Sequence, residues 1–419
     1  MTERRMSAKR YIIVGAGPAG VHAAIAIRNR DGAGEIVVID RDHDPPYYRT
    51  ELDTYVSGST SDAEMSLYPE EFYRAQRIRL RLRTAVAKVH PPGRTVELAD
   101  GEQVAYDALL LAPGSSPLTI SCPGASNPRV MTVRTWEDAR KLIRLVTETD
   151  RPVVVVGGGV LGLILADGIR QRGRPVTLLE REPRLWAPVL DETASQLVQQ
   201  GVRQRGIDVL LQEEIAEVVG ADGRIQRVAT SAGRTLEAST VVVAIGVRPD
   251  VAFLDGSTVR TDRGILIDHE FRTNVPDVFA AGDAAQGYDP ISERFLVVTN
   301  WNNAVEQGKL AGAFMAGDGS PYRGVILSNS ETLCGVHVTV LGLAQATGEG
   351  FVTLKGHDRG KGTYRKLTLR DDKLVGALLV GNTSGEGMMK KMILERKPTS
   401  IAEVKSKFLT GLVLEEMDT

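Results

Sequence analysis

The chain has 419 residues, enough for two or three domains with sizeable cores. It is 42% hydrophobic and 25% charged, an ordinary globular composition, and its net charge of −2 supplies no field to attract a polyanion such as nucleic acid. No apolar run approaches the roughly 18 to 20 residues of a membrane span, and the polar start MTERRMSAKR leads straight into a hydrophobic stretch, so neither a membrane segment nor a secretory signal is expected.

The first strand is expected at Tyr11–Val14, followed by VGAGPAG at Val14–Gly20 and a helix through VHAAIAIRNR. In this spacing Gly15 permits the tight turn, Gly17 lets the backbone approach a pyrophosphate, and Gly20 lets the helix pack close to the strand. The dipole and free N–H groups at the helix start favour phosphate charge. The next strand, Glu35–Ile39, ends on Asp40, where a ribose-hydroxyl acceptor is expected.

Asp42–Thr60 reads as a loop entering a short helix. In Arg74–Arg83 the arginines 77, 79, 81 and 83 alternate, which predicts one charged strand face, either solvated or a dock for an acidic partner. Ala85–Glu97 reads as two strands joined at Pro91-Pro92-Gly93, and Tyr106–Ala112 as a buried strand stopped by Pro113-Gly114. Ser115–Pro128 then crosses into a second nucleotide domain.

There the arrangement repeats: strand Val153–Val156, the loop VGGGVLG with Gly157, Gly159 and Gly162, helix Leu161–Arg172, and strand Pro175–Leu179 delivering Glu180. A carboxylate at that place accepts from a ribose 2′-hydroxyl and repels a 2′-phosphate, favouring NADH over NADPH; Arg181 and Arg184 behind it would soften the preference. Val241–Ile245 is another buried strand, ended by Gly246. From Asp250 the chain is expected to return to the first domain, because Phe271–Asp283 reads as a turn and a strand ending on an acid. Beyond Pro321 the pattern becomes alternating strands (Val336–Leu341, Tyr364–Leu369, Leu374–Val380) with a helix at Gly385–Arg396, an α+β domain. The two cysteines, Cys122 and Cys334, are too few and too distant for a CxxC metal site or a disulfide framework, so no metal and a reduced, cytoplasmic setting are expected.

These segments together resemble the two-dinucleotide flavoproteins of the pyridine nucleotide-disulfide oxidoreductase superfamily over nearly the whole chain. The carrying motifs are VGAGPAG with Asp40, LLLAPGSSP at Leu109–Pro117, VGGGVLG with Glu180, VVVAIGVRPD at Val241–Asp250 and VFAAGDAA at Val278–Ala285. The nearest subgroup resembled is the NADH-dependent rubredoxin and ferredoxin reductases and the flavin part of assimilatory nitrite reductase, through PPYYRTELDTYVSG and GTYRKLTLRDDKLVGALLVGNTSGEG. The resemblance implies an α/β fold: two Rossmann-like, glutathione reductase-like nucleotide-binding domains plus a C-terminal α+β domain. The expected boundaries are 1–122 with 251–320 for FAD, 123–250 for NAD and 321–419 for the C-terminal domain.

By the same resemblance FAD would be held by Gly15, Gly17, Pro18, Ala19, Gly20 and Asp40, with Arg41 near the adenine and Val86 meeting it by its backbone. Arg49, Ala112, Gly114, Gly282, Asp283 and Trp301 would complete that site, Asp283 on the ribityl and pyrophosphate region and Trp301 near the flavin ring. NAD would be held by Gly157, Gly159, Val160, Leu161, Gly162, Glu180, Ala244 and Gly246. Positions 42–46 carry no cysteine, which disfavours disulfide reduction. Where many relatives have a lysine near the flavin paired with a glutamate, this chain has Thr54 and Ile164, and Pro113 replaces the usual threonine.

The expected activity is NADH-dependent flavoprotein reduction passing electrons to a small iron-sulfur protein, ferredoxin or rubredoxin, or to another acceptor. Catalysis of that kind is mainly positioning, so no acid, base or nucleophile is named. His22 and His337 read as structural and His43 as a loop residue open to a role. Two alternatives stand beside it: a flavin-bearing sensor resembling apoptosis-inducing factor, and a biosynthetic flavin oxidase or monooxygenase. A monomer or homodimer is expected.

Overall fold

The structure is a computed structural model that describes residues 8–320, 322, 324 and 326–415. The chain divides into two compact units, one from residues 1–50, 62–116 and 247–325, the other from 51–61, 117–246 and 326–419.

The first unit is built on a five-stranded parallel sheet with strands in the order Val278–Ala280, Ala108–Leu111, Arg10–Val14, Glu35–Ile39 and Ile78–Arg81. The central strands are unbroken Ile, Val and Leu runs, as a sheet covered on both faces requires, and Ile12, Ile13, Leu109 and Leu110 are fully buried. Register pairs Ile12 with Val37 on one side and with Leu109 on the other. Helix Pro18–Arg28 follows the first strand, and a second helix, Trp301–Met315, packs against it unusually closely. A Cβ on Gly308 would stand 2.1 Å from Ala19 O, and one on Gly312 2.4 Å from Ala23 O. Only glycine at 308 and 312 allows that approach.

The charged strand face expected at residues 77–83 is shorter than its sequence pattern. Strand Ile78–Arg81 is bounded by Arg77 and Arg83, both in left-handed backbone with φ of 50° and 53°. Arg77 donates to Gly32 O, and Arg81 makes a bidentate pair with Glu102 at 2.7 and 2.8 Å. Four alternating arginines therefore do not form one free face; only Arg79 remains exposed on the strand itself.

The second unit contains a parallel sheet in the order Asp208–Leu211, Val176–Glu180, Val153–Val156, Thr240–Val243 and Val130–Met131. Helix Val160–Gln171 follows strand Val153–Val156, as Pro18–Arg28 follows Arg10–Val14 in the first unit. A separate six-stranded antiparallel sheet spans residues 328–414 and carries helices Glu386–Glu395 and Ile401–Phe408, the last not anticipated from sequence. Its strand Thr363–Arg370 is tied to the nucleotide-type part of the unit: Tyr364 Oη donates to Asp191 Oδ2 at 2.6 Å, and Lys366 Nζ, 3.9 Å from the same carboxylate, donates to Gln345.

Residues 51–61 group with this second unit although they follow the first two strands of the other. Helix Leu52–Ser57 ends under Arg172, whose guanidinium donates to the Tyr55 and Val56 carbonyls, satisfying acceptors that a helix C-terminus leaves open. Tyr55 also meets buried Trp136 edge-on at 5.9 Å, and Arg140 lies over the other ring at 4.0 Å.

Candidate cofactor sites

Both glycine loops sit where a parallel strand ends and a helix begins. Gly15 has φ +105° and its N–H donates to Ile39 O at 2.8 Å; Gly157 has φ +109° and donates to Leu179 O at 2.8 Å. Each needs to be glycine for a second reason. A Cβ at Gly15 would lie 2.0 Å from Ala112 O, and one at Gly157 2.4 Å from Ala244 O. Ala112 and Ala244, at the ends of the neighbouring strands, thus set how far each turn advances. The third glycines repeat the symmetry, with a Cβ at Gly20 1.9 Å from Gly15 O and one at Gly162 1.8 Å from Gly157 O.

The middle glycines behave differently. A Cβ on Gly17 or Gly159 would meet nothing within 4 Å, and each residue is the N-cap of its helix with no side chain capping the first turn. Steric packing of the protein therefore does not demand glycine there. Open space before uncapped helix N–H groups is the cradle a pyrophosphate needs, with Pro18 and Ala19 in one first turn and Val160 and Leu161 in the other. The residues present fit a dinucleotide at both loops.

The acids are also placed alike. Asp40 Oδ2 accepts from Ala16 N at 2.5 Å and Oδ1 from Asp42 N at 2.7 Å. Glu180 Oε2 accepts from Gly158 N at 2.6 Å and Oε1 from Glu182 N at 2.8 Å. Each carboxylate braces its own glycine loop and retains further lone pairs for a ribose hydroxyl. Arg184, expected to soften the effect of Glu180, donates instead to Leu190 O and Ala187 O, while Arg181 is 70% exposed beside Glu182.

Around the first loop, Thr84 N donates to Asp40 O, bringing in the chain just before Val86, which opens strand Val86–His90. Arg41 is 60% exposed and pairs with Asp250 at 2.7 Å; Arg49 lies 3.8 Å from Asp42 and over the Tyr47 ring. Gly114, φ +78°, accepts from Asp250 N through its carbonyl. Ser115 Oγ donates to Asp283 Oδ2 at 2.9 Å. Trp301 begins its helix behind the Asn300 cap, half-buried, with Tyr48 5.8 Å away. In the second unit Gly246, φ +112°, accepts from Leu118 N.

Sequence reasoning missed a buried polar chain behind the Gly282–Asp283 turn. Gln307 Oε1 accepts from Gly282 N at 2.8 Å, Gln307 Nε2 donates to Tyr322 Oη, and Tyr322 donates to Asn303 Oδ1. The spacing of Asn300, Asn303 and Gln307 at three and four residues, one face of a helix, was the available signal.

Neither thiol is poised as a nucleophile, and His22 and His337 are engaged in hydrogen bonds of the scaffold. Burial pushes the Cys334 thiol up to about 12, and burial likewise raises Cys122. His22 is held below its usual range by burial and then by Lys309, and its Nδ1 is 2.8 Å from Pro18 O. His337 takes Ser330 and Thr332 of the neighbouring antiparallel strand as hydroxyl partners, and His43 is exposed. Among the described residues no group of three metal-type side chains converges, and no helix is long and apolar enough to cross a membrane.

Residues 9–308 match the family described as pyridine nucleotide-disulphide oxidoreductase, and residues 330–397 the rubredoxin NAD+ reductase C-terminal domain. Among curated proteins, the chain is 31% identical to the NADH-dependent phenylglyoxylate dehydrogenase subunit epsilon of Aromatoleum evansii, over 98% of this chain and 96% of that one. It is 30% identical to rubredoxin-NAD(+) reductase of Pseudomonas putida over 74% of this chain and 80% of the relative. Among solved structures, the ferredoxin reductase of the CYP199A2 system from Rhodopseudomonas palustris superposes with a TM-score of 0.87 at 25% identity, covering 96% of this chain and 100% of that one. With both nucleotide loops, their acids and the C-terminal sheet accounted for, the chain belongs to the pyridine nucleotide-disulphide oxidoreductase family, FAD-dependent oxidoreductases that use a pyridine nucleotide.

Proposed function

We propose that the protein oxidises NADH and passes the electrons, by way of FAD, to a small iron-sulfur protein of the ferredoxin or rubredoxin kind. The observation that carries this reading is the duplicated loop: two middle glycines facing open space, each before an uncapped helix and beside a carboxylate that braces the loop. The first loop with Asp40, Asp283 and Trp301 is read as the FAD site, and the second with Glu180 as the NADH site. Within the second unit, the separate parallel and antiparallel sheets support reading 123–250 and 321–419 as distinct domains. Bound flavin supplies the chemistry of taking a hydride and releasing electrons one at a time. The protein's own part is to bind and orient: helix N-termini and glycine backbone for the two pyrophosphates, carboxylates for the riboses.

Glu180 supports NADH over NADPH, because its charge repels a 2′-phosphate and Arg184 is already engaged by backbone carbonyls. The name of the Aromatoleum relative, matched over nearly the full length of both chains, favours a second reading. In it the protein is the pyridine nucleotide-facing subunit of a larger dehydrogenase, exchanging electrons with that enzyme's other subunits. Anaerobic stopped-flow mixing with NADH and with NADPH, followed through the flavin band, tests the proposal. Rapid bleaching by NADH and slow bleaching by NADPH are expected; nucleotide binding without bleaching would overturn it in favour of a sensor.

A further inference from the structure

We infer that Gln307 is a positioning residue for the flavin site. It acts through the Ala281–Gly282 peptide, which leads into Asp283, and the inference rests on the reading of Asp283 as a ligand of FAD.

Gly282 has a left-handed φ of +78°, so the direction in which Asp283 leaves the strand is set at a glycine with few steric restraints of its own. The turn is seated on the first helix, where a Cβ at Gly282 would approach the Ala19 Cβ to 3.0 Å. The Ala281–Gly282 peptide that enters this glycine is held by the Gly282 N–H, which donates to Gln307 Oε1 at 2.8 Å inside the core, while the Gly282 carbonyl beyond it accepts from Ala285 N. Gln307 is 2% exposed, Asn303 3% and Tyr322 4%. The chain of bonds has one direction: Gln307 Nε2 donates to Tyr322 Oη at 3.3 Å, Tyr322 donates to Asn303 Oδ1 at 3.2 Å, and Asn303 Nδ2 donates to Val298 O at 3.0 Å. Asn303 N in turn donates to Asn300 Oδ1, the cap of the helix that begins with Trp301.

A helix packed on a turn for cohesion alone is served by an apolar side chain, since a buried amide gains nothing over it unless every donor and acceptor is matched. Here every buried side-chain polar atom of the three has a partner, and the pairing orients two things at once. At one end is the Ala281–Gly282 peptide that leads into Asp283; at the other is the helix start that carries Trp301. Burial also raises the Tyr322 phenol, so it stays a donor at any working pH. The network therefore holds one rotamer of Gln307 and one setting of the turn, and Ser115 separately restrains the Asp283 carboxylate by donating to its Oδ2.

The test follows FAD release from the full-length holoprotein after dilution, read by the rise in flavin fluorescence, beside urea unfolding of the deflavinated chain. Gln307→Leu is expected to release FAD at least about tenfold faster, the effect of one lost buried hydrogen bond at the site, with a smaller change in the unfolding midpoint. Gln307→Glu keeps an acceptor for Gly282 N–H and restores slow release. Tyr322→Phe, which frees the far end of the amide, accelerates release to a lesser degree should the leucine variant fail to fold. Release by Gln307→Leu at the wild-type rate, or no rescue by glutamate, overturns the inference while leaving the site reading intact if Asp283→Asn still loses FAD. Retention of FAD by Asp283→Asn overturns both.

Discussion

Paired substitutions in the first loop separate a glycine kept for packing from one kept for a ligand. Alanine at position 20 gains about 1 kcal/mol of helix propensity. Its Cβ, however, would stand 1.9 Å from Gly15 O, where ordinary contact begins at 3.4 Å, so the helix must withdraw by about 1.5 Å. Overpacking of that kind costs about 3 kcal/mol or more, and Gly20→Ala is expected to be destabilised by at least about 2 kcal/mol with or without flavin. Gly17→Ala meets nothing within 4 Å. Its weaker N-cap costs about 0.5 to 1 kcal/mol and its lower unfolded-chain entropy returns about as much, so the deflavinated protein should unfold at the wild-type midpoint. The new methyl enters the space before the helix N–H groups, and losing one charge-assisted bond there is worth about 1.5 to 3 kcal/mol. That corresponds to roughly 10- to 100-fold weaker FAD binding. Urea unfolding of each deflavinated variant and flavin-fluorescence titration measure the two effects independently. Wild-type FAD affinity in Gly17→Ala, or a loss of unfolding stability equal to that of Gly20→Ala, would refute the assignment of the open space to a pyrophosphate.

Glu180→Gln keeps an acceptor for Gly158 N–H and removes the charge, so the NADH to NADPH ratio of kcat/KM should fall roughly tenfold, the equivalent of about 1.4 kcal/mol of repulsion; an unchanged ratio in steady-state assays contradicts the role of the acid. Burial lowers the folded pKa of His22, so below the unfolded value near 6.5 the unfolded chain takes up a proton that the native state resists. Stability contributed by this residue is present above that pH and is lost as pH falls through the depressed native pKa, and His22→Gln should flatten the difference in urea midpoint between pH 7.5 and pH 5. Arg365 is 8% exposed and donates to the carbonyls of Phe408, Asn382 and Ser384. Arg365→Met leaves those acceptors unmatched and should cost about 2 to 4 kcal/mol by calorimetry or urea titration, with no change in pyridine-nucleotide selectivity.

Both nucleotide folds were legible because strand, glycine loop and acid are contiguous and their spacing is dictated by local sterics. Ala112 and Ala244 could be named only through resemblance, since the carbonyl that forbids a side chain at Gly15 or Gly157 comes from a strand about ninety residues away. The arginine stripe failed for a local reason: alternation was read as strand, but left-handed turns at Arg77 and Arg83 shorten the strand to four residues. The Gln307 chain was hidden because an amide on a helix looks like any surface glutamine until its partner turn, twenty-five residues earlier, is in place. The grouping of residues 51–61 with the second unit depends on Arg172, more than a hundred residues later, reaching two helix-end carbonyls.

That grouping bears on the exchange of a lysine and glutamate for Thr54 and Ile164. Thr54 Oγ1 donates to Glu51 Oε2 at 2.9 Å and accepts from Thr60, so its helix already carries a carboxylate within reach of position 54. Asp53 and Glu331 are both held above the usual carboxylate range, by burial first and then by the charges of neighbouring acids including Glu51. Helix Val160–Gln171 packs on this acidic segment: a Cβ at Gly168 would lie 3.3 Å from Asp53 O, and Leu163 O accepts from Cys334, three residues beyond Glu331. A lysine at 54 would find Glu51 waiting, whereas a glutamate at 164 would join a region already crowded with negative charge. Thr54→Lys alone should therefore change stability by no more than about 0.5 kcal/mol. Ile164→Glu alone should cost several times that, about 2 kcal/mol. The double variant should recover at least about 1 kcal/mol of the loss through the new pair. Strictly additive urea midpoints would refute the pairing, since the two positions are coupled only if the acid at 164 is better tolerated with the lysine present.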